Sequence, residues 1–225
     1  MKSKMLVLAL TSVIAYPLFA QSKEDERLAN SATVLQEILA EDNGLPKSIL
    51  NQALCVLIFP SVKKVAVGLG GSYGRGDLVC RKGPQMNGAW GAPAMYRLDQ
   101  ASVGLQLGST ETDFVLLVMN QKGVDEILNG KIKLGSNAAA AAGPTGAQAS
   151  SYKAGDADIL TYSRSKGLFA GVSLSGASID DDKDANKDLY GKDMTDKDIV
   201  TGSQAVVPAA KQLVDLLNTT SPSRK

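Results

Sequence analysis

The stretch TYSRSKGLFAGVSLSG, residues 161–176, surrounds an apolar centre with hydroxyl groups, two cations and three glycines. Its apolar residues do not recur at helical spacing; they alternate, which is typical of a strand with one buried face. We predict a strand pair whose turn, residues 163–167, presents Arg164 and Lys166. Alternation places one wholly apolar set on the packed face: Leu168, Ala170, Val172 and Leu174.

Six upstream segments have the same character of strand-length apolar or alternating runs separated by turn residues. They are CVLIFP, VAVGLGGSYG, GDLVCRK, APAMYRL, ASVGLQLG and DFVLLVMN. Pro60 is expected to close the first of them, because proline cannot donate to a sheet ladder. The pattern predicts roughly eight strands in an antiparallel, barrel-like or sandwich sheet.

Helical spacing occurs near both ends of the chain. Leu28, Leu35 and Ile38 recur on one face of DERLANSATVLQEILAEDNG, and SQAVVPAAKQLVDLLNTT predicts a second amphipathic helix with Pro208 near its start. A short helix is expected over residues 121–128. The small residues at 134–157 favour closely approaching backbones over a linker. The fold class is therefore α+β, a single domain over residues 21–225 flanked by N- and C-terminal helices.

The first twenty residues have the layout of a secretory signal peptide: two lysines, an apolar run, a break and a small residue at Ala20. We therefore expect a periplasmic or secreted protein. The remaining chain carries 22 basic and 23 acidic residues, so its bulk charge predicts no nucleic-acid partner. Any anion must be bound by a local patch.

Two residue counts limit the chemistry. The sequence contains no histidine, which removes histidine-based nucleophilic triads and histidine metal ligands, and we expect neither a metal nor a cofactor. Cys55 and Cys80 lie in two strand-like segments and would persist as a disulfide in an exported protein. The sequence leaves open whether they pair or stay as buried thiols.

Three sequence patterns resemble catalytic or metal-binding motifs, but the residues around them do not support those functions. Gly70, Gly74 and Gly76, with Tyr162 and Lys166 as Y-x-x-x-K, are similar to a short-chain dehydrogenase, yet no helix can follow these glycines and Gly167 favours strands. The S-x-x-K spacing that ends at Lys166 recurs elsewhere in the chain. The alternating acids at 180–188 lack the glycine and glutamate of a calcium loop.

The motifs above, in order, resemble the SYLF domain family, found in exported bacterial proteins and in eukaryotic trafficking and actin-patch proteins. The resemblance covers nearly the whole mature chain, from GLPKSIL and CVLIFPSVKK through GAWGAPAMYRL and KLGSNAAAAAGPTG to NKDLYG, and YSRSKGLFAGVSLSG is its most specific element. It implies non-enzymatic binding of phospholipids, with phosphoinositides as the ligands of eukaryotic members.

A phosphate could be held by cations beside glycine-rich turns, through charge-assisted hydrogen bonds and backbone N–H groups. Six cations are candidate headgroup ligands: Lys63, Lys64, Arg75, Arg81, Arg164 and Lys166. The alternative function is a structural or partner-binding module of the cell envelope that docks another protein.

Overall fold

The computed structural model describes residues 22–224 apart from residues 68, 104–107, 137, 146–147, 150–151, 153–156, 166–167, 172–173 and 175. The predicted signal peptide, Lys166 and Val172 lie outside the described residues. The architecture confirms the α+β prediction, with a mixed sheet curled into a half-barrel and helices packed on it.

Nine strands form one sheet in the described part of the chain. They are β1 Cys55–Val67, β2 Leu69–Cys80, β3 Ala94–Val103, β4 Gly108–Val118, β5 Ile132–Lys133, β6 Ala140–Ala142, β7 Ile159–Ser165, β8 Leu168–Gly171 and β9 Ser178–Asp181. The spatial order is β5-β9-β3-β2-β1-β4-β7-β6, and β8 pairs with β7 beyond β6. The order β3-β2-β1-β4 is a Greek key. All these pairs are antiparallel except β6 with β7.

Strand β1 does not end at Pro60, as the sequence predicted, but runs on to Val67 through a bulge. Its pairing with β2 is interrupted between Ile58 and Lys63, so the missing proline N–H costs no ladder bond. Ser61 takes a left-handed φ of 50° in this bulge. On β2, a Cβ at Gly76 would overlap the Ile58 carbonyl group, which explains the glycine at that position.

In the part of the chain that the structure describes, six α-helices cover the two faces of the sheet. They are α1 Lys23–Ala40, α2 Lys47–Leu50, α3 Gln121–Leu128, α4 Lys183–Tyr190, α5 Asp196–Thr201 and α6 Lys211–Thr220, the last preceded by a 3-10 turn at Pro208–Ala210. The bounds of α3 match the sequence prediction, and α1 and α6 confirm the two amphipathic helices.

Each face of the sheet carries its own hydrophobic core. Val56 and Ile58 pack beneath α1 and α6, whereas Leu57 and Phe59 pack on the opposite face with α3 and α5. Because successive side chains of a strand point to opposite faces, a strand buried on both sides reads as an unbroken apolar run. This is the physical reason for the sequence CVLIF in β1.

Strands β7 and β8 confirm that the opening stretch is a strand pair, but their turn is shorter than predicted. Ser165 pairs with Leu168, which leaves residues 166–167 as the connection and places Arg164 inside β7. Ala170, predicted to pack, is exposed, and Leu174 is buried. The packing is incomplete because β8 is an outer strand of the sheet.

The small residues of the 134–157 segment allow the close approach that the sequence suggested. A Cβ at Gly143 would overlap the ring of Tyr162, and a Cβ at Gly171 would overlap the Gly143 carbonyl oxygen. The Tyr162 hydroxyl donates to the Pro144 carbonyl oxygen. The described part of the segment therefore packs directly on β7 and β8.

Hydrogen bonds between Arg81 and the C-terminal residues stabilise one end of the sheet. All five guanidinium N–H groups of Arg81 donate, to the carbonyl oxygens of Ala53, Gly88, Pro222 and Ser221 and to the Ser221 hydroxyl. The guanidinium also stacks on Trp90, 4.3 Å from the ring centroid. Burial lowers the pKa of Arg81 to about 10, the nearby Arg224 adding a smaller effect. A disulfide between Cys55 and Cys80 joins β1 to β2 beside it.

Helix α1 is tied to β2 by a buried polar contact. Ser22 caps the helix reciprocally with Asp25. Further along the helix, the Ser31 hydroxyl donates to the Asp77 carboxylate, which is fully buried and leaves its second oxygen without a hydrogen-bond partner. Burial raises the pKa of Asp77 to about 7, against the smaller opposing effects of Ser31 and Arg27.

We predict that Arg81→Lys lowers the free energy of unfolding by about 3 kcal/mol, because one ammonium group cannot satisfy the buried carbonyl groups around it. Urea denaturation followed by circular dichroism measures the loss. The exposed Lys211→Ala is the matched control and is expected to unfold like the parent. Equal stability of Arg81→Lys and the parent would contradict this role of Arg81.

We predict that Asp77→Asn is more stable than the parent at neutral pH. The pKa of Asp77 in the folded protein, about 7, lies above the ordinary value of 3.8. The contribution of the protonated Asp77 to the free energy of unfolding is therefore fully present below about pH 4 and is lost as the pH rises to about 7. Asparagine does not ionise, so the variant does not lose this free energy of unfolding, which amounts to at most about 4 kcal/mol in the parent. Urea titrations from about pH 4 to about pH 8 test it; a difference between variant and parent that does not change with pH contradicts it.

Candidate functional site

A cleft with cationic side chains lies between the first half of α1 and the bulge of β1. Its volume is about 350 Å³. We call it the cationic cleft and define it by its lining residues: Lys23, Glu26, Arg27, Asn30, Pro60, Ser61, Lys63, Tyr73, Gly74 and Arg75. The helix residues follow the spacing i, i+3, i+4 and i+7, so α1 turns one polar face towards the bulge. The cleft thus receives four cations and one carboxylate.

The sheet register brings the strand residues of the cleft together. Lys63 lies directly opposite Tyr73 in the β1–β2 pair, so both side chains point to the face that carries α1. Arg75 is two residues further along β2 and shares that face. A Cβ at Gly74 would stand 2.5 Å from a methyl group of Val62, so the glycine lets the bulge approach β2.

A second depression adjoins the cleft on the far side of Lys63 and Tyr73, which line both. It measures about 810 Å³, and we call it the adjoining hollow. Its remaining walls come from β2, β3, β5 and the start of β9: Gly71, Ser72, Asp99, Gln100, Lys133, Gly176 and Ser178. Tyr73 stands between the two depressions with 47% of its surface exposed.

Arg75 is held in place by neighbours on two sides. Its Nε–H donates to the Tyr73 hydroxyl, and Nε lies 3.3 Å from a carboxylate oxygen of Asp182. The hydrogen bond from Arg75 to Tyr73 and the charge of Asp182 raise the pKa of Arg75, outweighing partial burial. Arg27 pairs with Glu24, whose pKa is raised mainly by burial. The two arginines are therefore oriented before any ligand arrives.

Lys63 has a looser environment. Its ammonium nitrogen is 4.0 Å from the Glu111 carboxylate, and both side chains are more than half exposed. An exposed pair at this separation contributes little to stability and exchanges partners easily. Lys63 can therefore turn towards an anion in either depression.

The structure brings together two of the six predicted cations, Lys63 and Arg75. Lys64 follows Lys63 in β1 and so points to the other face of the sheet. Arg81 was predicted as a headgroup ligand, but it is 1% exposed, and the hydrogen bonds described above use all its donors. The sequence prediction is corrected at this position: Arg81 stabilises the fold and is not available to bind a headgroup.

Arg164 also differs from its predicted place. It lies within β7 rather than at a turn, and its guanidinium group pairs with Asp113 at 2.7 Å and with Glu37 of α1. The other oxygen of Asp113 accepts a hydrogen bond from the Ser61 backbone N–H. Arg164 therefore links β7, β4, the bulge and α1, which is a structural position.

The sequence analysis missed several residues of the two depressions: Lys23, Arg27, Tyr73 and Lys133. The sequence did contain a pattern that indicates Lys23 and Arg27, since they are cations at i and i+4 on the polar face of a predicted helix. The sequence carried no such signal for Tyr73 and Lys133, because β2 and β5 come to line these two depressions only through the sheet order.

The other patterns weighed in the sequence take structural positions. Gly70, Gly74 and Gly76 lie inside strand β2 and are not followed by a helix. Asp182 caps α4, and Asp180 pairs with Arg97. Within the described residues, no group of three or more Cys, Asp or Glu side chains is arranged to hold a metal ion.

Comparison with known proteins identifies the family. A family model described as "Ysc84: Las17-binding protein actin regulator" matches residues 99–220. The chain belongs to this family, the Ysc84 or SYLF family. The matched residues include the opening stretch, whereas the cationic cleft is built from residues that precede them.

Relatives extend the similarity over most of the chain. An SH3 domain-containing protein of Schizosaccharomyces pombe is 34% identical over 88% of this chain and 46% of its own length. Protein YSC84 of Saccharomyces cerevisiae is 32% identical over 93% of this chain and 45% of its own. LAS seventeen-binding protein 3 of the same yeast is 31% identical over 93% and 46%. The chain thus spans about half the length of these relatives. No solved structure matches it.

No helix within the described ranges of the chain combines the length and the apolar character needed to cross a bilayer.

We predict that Arg164→Ala lowers the free energy of unfolding by about 2 kcal/mol, since it leaves the nearly buried Asp113 carboxylate without its cation. Thermal or urea unfolding measures the effect. Lys63→Ala, which removes an exposed cation nearby, is the control and is expected to leave stability unchanged. If both variants unfold like the parent, Arg164 has no structural role.

Proposed function

We propose that the protein binds anionic phospholipid headgroups of the phosphoinositide kind, without catalysis, and that the cationic cleft is the binding site. The observation that carries this proposal is the convergence of Lys23, Arg27, Lys63 and Arg75 on one depression. The net charge of the chain is only +1, so the cations of the cleft form a local feature rather than part of a generally basic surface.

The geometry of the cations suits a phosphate group. An arginine that is already oriented can donate two parallel N–H bonds to phosphate oxygens, and it stays charged at any physiological pH. Lys63, on a flexible stem at the rim, can supply a second charge from the side. The absence of histidine from the sequence further supports binding over turnover.

Export to the periplasm or beyond is part of the proposal. Its support is the signal-like pattern of the first twenty residues, together with the disulfide between Cys55 and Cys80. Disulfides persist in oxidising compartments and are rare in the cytosol. In such a compartment the ligand would be a lipid of the membrane surface that the protein meets there.

A protein partner is the second candidate function. The family model and one relative carry the words "Las17-binding" or "LAS seventeen-binding" in their names, which favours a binding module for another protein. The relatives are about twice as long as this chain, so residues outside the shared region could contribute to that activity. An envelope protein docked on this domain is the corresponding proposal for this chain.

Vesicle co-sedimentation tests the lipid proposal. The parent is expected to bind vesicles of phosphatidylcholine with phosphatidylglycerol or a phosphoinositide, and to release them as salt rises. Lys23→Ala with Lys63→Ala should weaken binding by about 30-fold, because each cation near an anionic surface contributes about 1 kcal/mol.

The control is Lys197→Ala with Lys211→Ala, which removes the same charge from exposed positions outside the cleft. It should bind like the parent. Equal weakening of both double variants would show non-specific attraction instead of a site. Failure of the parent to bind any vesicle, together with a stable partner in a pull-down, would favour the protein-binding function.

A further inference from the structure

One row of side chains crosses the sheet through the adjoining hollow. Strands β1, β2, β3, β9 and β5 contribute one residue each, and each residue is paired directly with the next one in the row. Directly opposite residues of antiparallel strands share a face, so all five side chains project from the same face of the sheet. We call this set the polar row, and all its members line the hollow: Lys63, Tyr73, Asp99, Ser178 and Lys133.

The polar row is open to solvent. Four of its members are exposed, and Ser178 is half-buried. Every residue that lines the hollow belongs to a strand or to the turn before β9. Neighbouring strands lie about 4.8 Å apart, so the row extends about 19 Å along the sheet. A ligand that contacts the whole row is therefore an elongated chain rather than a single small ring.

Tyr73 adds a flat apolar surface to the polar row. Its side chain is exposed, and its hydroxyl accepts a hydrogen bond from the Nε–H of Arg75, which lies in the cationic cleft. The ring is thus oriented before a ligand arrives, which lowers the entropy that binding costs. A ring of this kind contacts the apolar face of a ligand while polar groups beside it form hydrogen bonds.

The polar groups of the row can both donate and accept hydrogen bonds. A lysine ammonium group only donates, a carboxylate only accepts, and a serine hydroxyl does both. Asp99 lies between Tyr73 and Ser178, and Glu111 lies directly opposite Lys63 in the β1–β4 pair. These two carboxylates balance the two lysines of the row and would repel phosphate groups. The row therefore suits an uncharged ligand with hydroxyl groups along its length.

We propose that the adjoining hollow binds an uncharged saccharide chain that lies across the strands, with one sugar ring stacked on Tyr73. Sugar hydroxyl groups donate to Asp99 and accept from Lys63 and Lys133. Exposed sheet faces bind oligosaccharides in other folds, whereas an extended peptide pairs with a sheet edge through its backbone. The inference does not rest on the proposed lipid function, because the hollow and the cationic cleft are separate depressions with a common wall.

Isothermal titration calorimetry with maltotriose, cellotriose and chitotriose tests the proposal. The parent is expected to bind at least one of these uncharged trisaccharides. Tyr73→Ala should weaken that binding by about tenfold because the stacking surface is lost, whereas Tyr73→Phe keeps the ring and should stay within about threefold of the parent. Asp99→Ala should also weaken it by about tenfold, because hydrogen bonds to a charged acceptor are lost.

Two controls accompany these variants. Asp42→Ala removes the same charge as Asp99→Ala from an exposed position after α1, and it should bind the trisaccharide like the parent. Vesicle co-sedimentation separates the hollow from the cleft. Asp99→Ala should bind vesicles of phosphatidylcholine and phosphatidylglycerol at least as tightly as the parent, since it removes a negative charge and no cation.

Three results would overturn the proposal. If the parent binds none of the trisaccharides, the hollow is not a saccharide site, whatever the vesicles show. If Tyr73→Ala and Asp99→Ala bind the trisaccharide like the parent, or Asp42→Ala weakens binding equally, the sugar does not occupy the hollow. If the parent instead prefers phosphatidylinositol to phosphatidylglycerol vesicles and Asp99→Ala removes that preference, the hollow holds part of a lipid headgroup.

Discussion

The buried guanidinium group of Arg81 is the interaction on which the rest of the structure depends. It gathers carbonyl groups from the segment before β1, from the β2–β3 connection and from the chain after α6. Helix α6 is thereby fixed over the same hydrophobic core as α1, and α1 forms one wall of the cationic cleft. A buried charge without hydrogen-bond partners is strongly unfavourable, so these three segments are held in a single arrangement.

The bulge of β1 also determines the shape of the cationic cleft, because it forms the wall of the cleft on the sheet side. It exists because Pro60 cannot pair, and its exposed backbone N–H at Ser61 is satisfied by Asp113. Asp113 in turn pairs with Arg164, which reaches Glu37 of α1. A local defect in one strand is thus stabilised by a chain of polar contacts that also positions the helix above it.

The sequence allowed the fold to be predicted better than the site. Periodicity identified both terminal helices, α3 and the strand pair at residues 161–176, because burial on one face leaves a visible repeat. It could not distinguish Arg75, which lies within β2, from Arg81, which directly follows the same strand. Only the sheet order and the docked C-terminal residues show that one opens to solvent and the other is enclosed. Pro60 was misjudged because a bulge lets a strand continue past a proline.

The stabilising contacts of Arg81 and the proposed binding site lie towards opposite ends of the same strands. The disulfide and Arg81 lie where β1 begins and β2 ends, whereas Lys63, Tyr73 and Arg75 lie towards the other ends of these two strands. The exposed cations Lys63 and Arg75 therefore lie away from the end of the sheet that the disulfide and Arg81 stabilise. Between these two ends lies Asp77, a buried carboxyl group that joins β2 to α1 through Ser31 and whose pKa is raised by burial to about 7.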